Sequence, residues 1–199
     1  MLRLHPATFR SSGRLLLALG ALLAAAPAQA ASDGPTGGAA TTTGSIPAGK
    51  VSGLPLPRYV SLKTDRVNLR DGPSKDHRTA WVFQRAGLPV EITGEHETWR
   101  RIRDAEGTEG WVLHSLLSGR RTALVMPWAK AETAALPLFA EGDDKSSVVA
   151  QLQPNVIASV KSCRDGWCRV VIVLPNARDV SGFMKQDRLW GVYPNEKVE

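Results

Sequence analysis

"LPVEITGEHETWRRI" (residues 88–102) and "VIASVKSCRDGWCRV" (156–170) stand 68 positions apart and share one pattern. The alignment pairs Ile92 with Val160, Trp99 with Trp167 and Ile102 with Val170. In each copy, apolar and polar residues alternate on either side of a polar turn. That two-residue period belongs to paired strands with one buried face.

The repeat extends outward. "EGWVLHSLL" (109–117) matches "SGFMKQDRL" (181–189) at an offset of 72, so the second copy carries four extra residues, in "VLPNARDVS" (173–181). Upstream, "RVNLRDGPSKDH" (66–77) alternates at Val67 and Leu69, which match Leu136 and Leu138 at an offset of 69. The first copy then stops on Gly72-Pro73, a turn signal that the second copy lacks. From Tyr59 onward, "VNLR", "LPVEIT", "WRRIRD", "EGWVLH" and "TALV" are short alternations between turns, with no sustained helical period. Such a chain is expected to be all-β, a small barrel or sandwich.

The chain has 199 residues, enough for one or two small domains. Its first thirty read as a secretory signal peptide: Arg3, Arg10 and Arg14, then "LLLALGALLAAA" (15–26), then "AQA" before Ala31. Cleavage is expected after Ala30, giving an exported, periplasmic or extracellular protein. The apolar run is short of the roughly 20 residues that span a bilayer, so no stable membrane insertion is expected after cleavage. Losing three arginines lowers the formal net charge from +6 to +3, too mild for a nucleic-acid partner. Residues 31–57, dominated by Gly, Ala, Thr, Ser and Pro, read as a flexible tether that cannot bury enough apolar surface to order itself.

"VNLRDGPS", "AGLPVEI", "TWRRI", "EGWV" and "SLL", in this order and spacing, resemble a bacterial SH3 domain. "DGWCRV", "SGFM" and "LWGVYPNE" resemble a divergent second one. The resemblance covers about 59–125 and 135–195. It implies two tandem SH3-like barrels of about five strands each. The organisation that follows is a signal peptide (1–30), a tether (31–57), a first barrel (58–126), a connector (127–134) and a divergent second barrel (135–199). The resemblance also implies that Gly72-Pro73 marks the exit from the first strand into a loop beside a ligand groove, and that the Trp99 position lines that groove.

Within "WRRIR", Ile102 is out of phase with Trp99. Within "WCRVVIV", Cys168, Val170 and Ile172 share one face while Trp167 and Arg169 share the other. If the apolar series marks the core, both tryptophans face outward beside arginines. Trp99, Arg101, Trp167 and Arg169 would then offer a rigid aromatic platform with a cationic rim. The alternative is that each indole packs beneath a loop of its own barrel. Asn68 and Arg70 flank the first loop and complete the candidate ligand-binding set. Trp111 and Phe183 read as barrel packing, and Trp128 as glue between the domains.

Cys163 and Cys168 are the two cysteines, and in an exported chain a pair this close forms a disulfide. Strict alternation from Val160 puts them on opposite faces, so a bulge or turn must reset the phase. The first copy has Glu95 and Arg100 at these positions. Two cysteines are too few for a structural zinc, so no metal and no cofactor are expected.

Glu95, Glu97, Asp104 and Glu106 are placed at hairpin tips, and His77, His96 and His114 in loops or turns. No nucleophile elbow, His-Glu-x-x-His or phosphate loop occurs, so a non-enzymatic role is expected. Two functions compete. One is an exported module that binds cell-wall peptidoglycan through its stem peptides. The other is a periplasmic adaptor for an exported protein partner.

Overall fold

The computed structural model describes residues 47–130 and 135–199. The expected signal peptide and most of the expected tether lie outside the described residues. Fourteen strands follow in two sets of seven. The first set is β1 (Arg58–Leu62), β2 (Val67–Arg70), β3 (Thr79–Phe83), β4 (Pro89–His96), β5 (Trp99–Arg103), β6 (Glu109–Leu113) and β7 (Leu117–Ser118). The second is β8 (Thr122–Val125), β9 (Leu136–Phe139), β10 (Val148–Leu152), β11 (Ile157–Arg164), β12 (Trp167–Ile172), β13 (Val180–Lys185) and β14 (Leu189–Trp190). A 3-10 turn joins β6 to β7 (His114–Leu116) and another joins β13 to β14 (Gln186–Arg188).

The strand orders are β3-β2-β6-β5-β4-β1-β7 and β10-β9-β13-β12-β11-β8-β14. They are the same order, strand for strand, so the repeat in the sequence is a repeat of topology. Each set forms one small antiparallel barrel around its own core. Leu62, Val67, Leu69, Val90, Ile92, Ile102 and Val112 fill the first. Val125, Leu138, Ala158, Val160, Cys168, Val170, Ile172, Met184 and Leu189 fill the second. The recurrent glycine has a steric cause. A Cβ on Gly110 would stand 2.6 Å from Leu69 Cγ, and one on Gly182 would stand 2.7 Å from Leu138 Cγ. Only glycine lets β2 and β9 close onto the neighbouring strand at these points.

Three expectations about organisation are corrected. Thr122–Val125 is not the end of the first barrel. It pairs with β11 and β14, and so opens the second, which moves the boundary back from 126 and places the expected connector, of which 131–134 lie outside the described residues, within the second barrel's own chain. Eleven positions separate Val125 from Leu136, where five separate Leu62 from Val67, and this insertion hides the strand from a search at constant offset. "VNLR" is therefore the second strand of its barrel, and each sheet has seven pairing segments, not five. The segment expected as a tether is folded in part. Residues 48–55 form a turn closed by an Ala48–Pro55 bridge and packed on the first barrel.

Gly44–Glu199 behaves as one compact unit, and the closing segment "LWGVYPNE" joins its two barrels. The Tyr59 ring lies 4.6 Å from Tyr193 and 5.1 Å, edge-on, from Trp190. Tyr193 Oη donates to Glu91 Oε1 at 2.8 Å, and Arg103 Nε donates to Glu91 Oε2 at 2.9 Å. Arg121 forks onto Glu196 at 2.8 and 3.0 Å, a bidentate pair that holds the tail against β8.

Candidate ligand cleft

On the first barrel, a cleft of about 260 Å³ is lined by Arg66, Asn68, Arg70, Lys75, Trp99, Leu113 and Leu116. β2 supplies Asn68 and Arg70 on its outward phase, opposite Val67 and Leu69 in the core. β5 supplies Trp99, paired in register with Leu113 of β6. The loop after β2 supplies Lys75. Arg70 shapes that loop: its Nη1 donates to the carbonyls of Lys75 at 3.0 Å and His77 at 2.6 Å. Gly72 allows the fold-back, because the His77 ring occupies the space that a Cβ there would need. Three cations and no carboxylate line the cleft.

Asn68, Arg70 and Trp99 of the candidate set are thus brought together, but not as an exposed platform. Trp99 is 6% exposed and forms the floor. Its phase does oppose Ile102, as alternation requires, yet the loop residue Lys75 and the 3-10-turn residue Leu116 stand over that face. Arg101 lies outside the cleft and pairs with Glu109 at 2.5 Å. Trp111 faces outward, not into the barrel, since Gly110 takes the inward position. It is half-buried, paired in register with Arg70 and Arg101, and its ring is 6.4 Å from that of His96.

The second barrel has a counterpart of about 280 Å³, lined by Leu136, Pro137, Phe139, Asp144, Met184, Lys185 and Arg188. Register places Pro137 where Asn68 stands, Phe139 for Arg70 and Lys185 for Leu113. Lys185 pairs with Asp144 at 2.6 Å and sits 5.5 Å from the Trp167 ring centroid, while Phe139 meets that ring edge-on at 5.5 Å. The Lys185–Asp144 pair leaves Arg188 as the one further charge of this cleft, and Trp167 is half-buried. Arg169 is exposed on the outer strand face and lines neither cleft. Trp128 does not glue the barrels together; it is 56% exposed and lines a cavity with second-barrel residues.

Cys163 and Cys168 are bridged. The required phase reset is a bulge between Val160 and Ser162, after which Cys163 pairs with Cys168. The first barrel has the same irregularity between Ile92 and Gly94, after which Glu95 pairs with Arg100. Glu95 is not a hairpin-tip acid. Its side chain is 1% exposed and lies 2.8 Å from Arg58 and 3.3 Å from Arg100. Ser52 donates to it through Oγ at 2.6 Å and N–H at 2.9 Å, and Val51 N–H donates at 3.2 Å. Burial would raise this carboxyl, but the bonds from Ser52, Arg58 and Val51 outweigh it and pull the pKa down to about 2. The sequence signal was only its equivalence to a cysteine of a bridged pair.

Trp81 of the edge strand β3 is 57% exposed. It borders a cavity of about 320 Å³ that includes Leu124 of the second barrel and the acids Asp104 and Glu106. Among the described residues, no three His, Cys, Asp or Glu side chains are grouped to hold a metal, and no helix is long and apolar enough to cross a membrane.

A family model described as "Bacterial SH3 domain" matches residues 63–119 and 132–191, more than half of the chain. No curated protein matches. Two solved structures from Trichomonas vaginalis, NlpC2 and NlpC1, are similar at 16% identity and a TM-score of 0.30. The similarity covers 67% and 73% of this chain, which spans about half the length of each (48% and 49%).

Proposed function

We propose a wall-binding role from one premise: the chain belongs to the bacterial SH3 domain family, which it matches twice. The observation that carries the reading is the first cleft, where Arg66, Arg70 and Lys75 surround the indole of Trp99 without a neutralising acid. Cations around an apolar floor suit a short peptide bearing carboxylates, the chemistry of peptidoglycan stem peptides. The second barrel serves as a partner that fixes the first, since its own cleft is spanned by the Lys185–Asp144 pair. The protein acts as a binding module without a catalytic step of its own. Export is part of the proposal; the "LLLALGALLAAA" segment and the Cys163–Cys168 bridge support it.

The test is co-sedimentation of the purified protein with peptidoglycan sacculi. Retention at low salt should weaken as salt is raised. Reversing two rim charges, Arg66→Glu with Lys75→Glu, should weaken it about tenfold. Arg169→Glu, outside the cleft, should leave it unchanged. Absence of retention at low salt would sink the reading. Trp81 favours the second reading, an adaptor for an exported protein, because a large exposed indole on an unpaired edge strand suits strand addition by a partner. Loss of a crosslinked periplasmic partner in Trp81→Ala, with sacculus binding absent throughout, would establish that instead.

A further inference from the structure

A cavity of about 630 Å³ lies on the second barrel and shares Lys185 with the cleft that mirrors the first-barrel site. Trp128 and Trp167 both line it, with Asp165, Asp187 and Asn195 among the polar groups around them. The support is built. Trp128 stands in a turn closed by Ala129 N–H donating to Met126 O at 3.0 Å, and Met126 N–H in turn donates to Arg188 O at 2.8 Å. The opposite wall is the chain's closing tail. Gln186, buried at 6% exposure, donates to the carbonyls of Tyr193 at 2.8 Å and Glu196 at 2.9 Å and so fixes Asn195 between them.

The charges of this cavity are the reverse of those in the first-barrel cleft. Its lining holds two carboxylates, Asp165 and Asp187, and one lysine, Lys185. That lysine is already engaged by Asp144 at 2.6 Å. Arg188 approaches Asp187 only at 3.6 Å, in a pair open to solvent. Lys185 already stands over the Trp167 ring, 5.5 Å from its centroid, so the exposed indole of Trp128 and the two carboxylates are what present negative potential to whatever enters. A flat ring with a polar rim also accepts the methylenes of a flexible amine stem.

We propose that this cavity binds a primary ammonium carried on an alkyl stem, as in a lysine-type side chain of an extended peptide. The ammonium meets Asp165 and Asp187, and the stem lies along Trp128. The proposal does not rest on the wall-binding reading, because it uses neither Trp99 nor the cations of the first cleft.

Nα-acetyl-lysine amide is a suitable probe, titrated into the purified protein while the six indole N–H signals are followed by NMR. Saturable shifts at Trp128 and Trp167 are expected, weakening as salt is raised. Acetylating the probe's ε-amine should raise Kd about tenfold, and Trp128→Ala should do the same with Tm unchanged, since that side chain is exposed. Asp187→Asn should weaken binding by a smaller factor. The Arg66→Glu, Lys75→Glu protein should bind the probe as wild type does, which keeps this result separate from that of the sacculus assay. Equal shifts with the acetylated probe, or shifts that persist in Trp128→Ala, would overturn the proposal. Titration of the same two indoles by a chitooligosaccharide but not by the amine would also overturn it, and would identify a polyol site.

Discussion

Tyr193 and Glu91 meet across the junction of the two barrels, the phenol donating to Oε1 at 2.8 Å while the other oxygen of the same carboxylate accepts from Arg103. Glu91 is 2% exposed, so this carboxylate is buried with both oxygens engaged. Such a group stabilises only while its partners are present; without one, part of its desolvation cost is uncompensated. The tail that delivers Tyr193 belongs to the second barrel and the acid to the first, so the bond couples the folding of the two.

Tyr193→Phe should therefore cost roughly 1.5–3 kcal/mol, the range for a hydrogen bond to a charged group. It should also reduce cooperativity. Urea unfolding followed by tryptophan fluorescence should give one transition for the wild type and two for the variant. A single transition at an unchanged midpoint in Tyr193→Phe would show that the junction contributes nothing to coupling.

The phenols themselves report on the junction. The chain has two tyrosines, and both stand there. Burial, with Glu91 beside it, pushes Tyr59 up to about 12. Burial and the bond to Glu91 raise Tyr193 further. A raised phenol contributes stability that is fully present below its unfolded value near 10 and is lost as pH rises toward the folded value. Absorbance at about 295 nm should therefore show no tyrosinate step near pH 10 in the native protein; ionisation should coincide with loss of structure. A separate step at pH 10 before unfolding would mean that the junction is open in solution.

Much of this architecture could be read from the sequence, because one constraint was local and repeated. Alternation through Val67–Leu69 and Cys168–Ile172 named the core faces, whereas the inward positions taken by Gly110 and Gly182, where a Cβ would collide with the next strand, were not read from the sequence, which assigned Trp111 to the barrel packing instead. The bridged cysteines even required a bulge, which the backbone supplies before Ser162. What escaped depended on contacts between distant segments. Alternation gave the face of Trp99 but not the loop that covers it. Thr122–Val125 looked like a last strand because nothing local shows that its partners lie at Ile157 and Leu189. Glu95 read as a surface acid because Ser52 and Arg58, which bury and bind it, are about 40 residues away in sequence.

Glu95–Arg100 and Cys163–Cys168 occupy the same register in the two barrels, so one hairpin is held by charge and the other by a covalent bond. Replacing both cysteines with alanine should cost about 2 kcal/mol, the loop-closure entropy of so short a segment. Beyond the shared cost to global unfolding, local opening should increase only in the second barrel. It would appear as hydrogen exchange that quickens more in Ile157–Ile172 than in Pro89–Arg103. Equal quickening in both segments would instead mean that the bridge acts on global unfolding alone and adds nothing to its own hairpin.

Acid should act on the first barrel in the complementary way. The Glu95 carboxyl is held at about 2 by Ser52, Arg58 and the Val51 amide, against an ordinary value of 4.5. A depressed carboxyl contributes stability that is present above the unfolded value and is lost as pH falls toward the folded one. Between pH 5 and about 2 the turn formed by residues 48–55 should therefore loosen from the barrel before the core opens. Glu95→Gln should flatten that dependence: its Tm should already be lowered at pH 7 and should change little more on acidification through this window. Protease cleavage near Ser52 would give the local readout, rising with acid in the wild type and constantly high in Glu95→Gln. If both proteins show the same acid dependence, another carboxylate controls the turn.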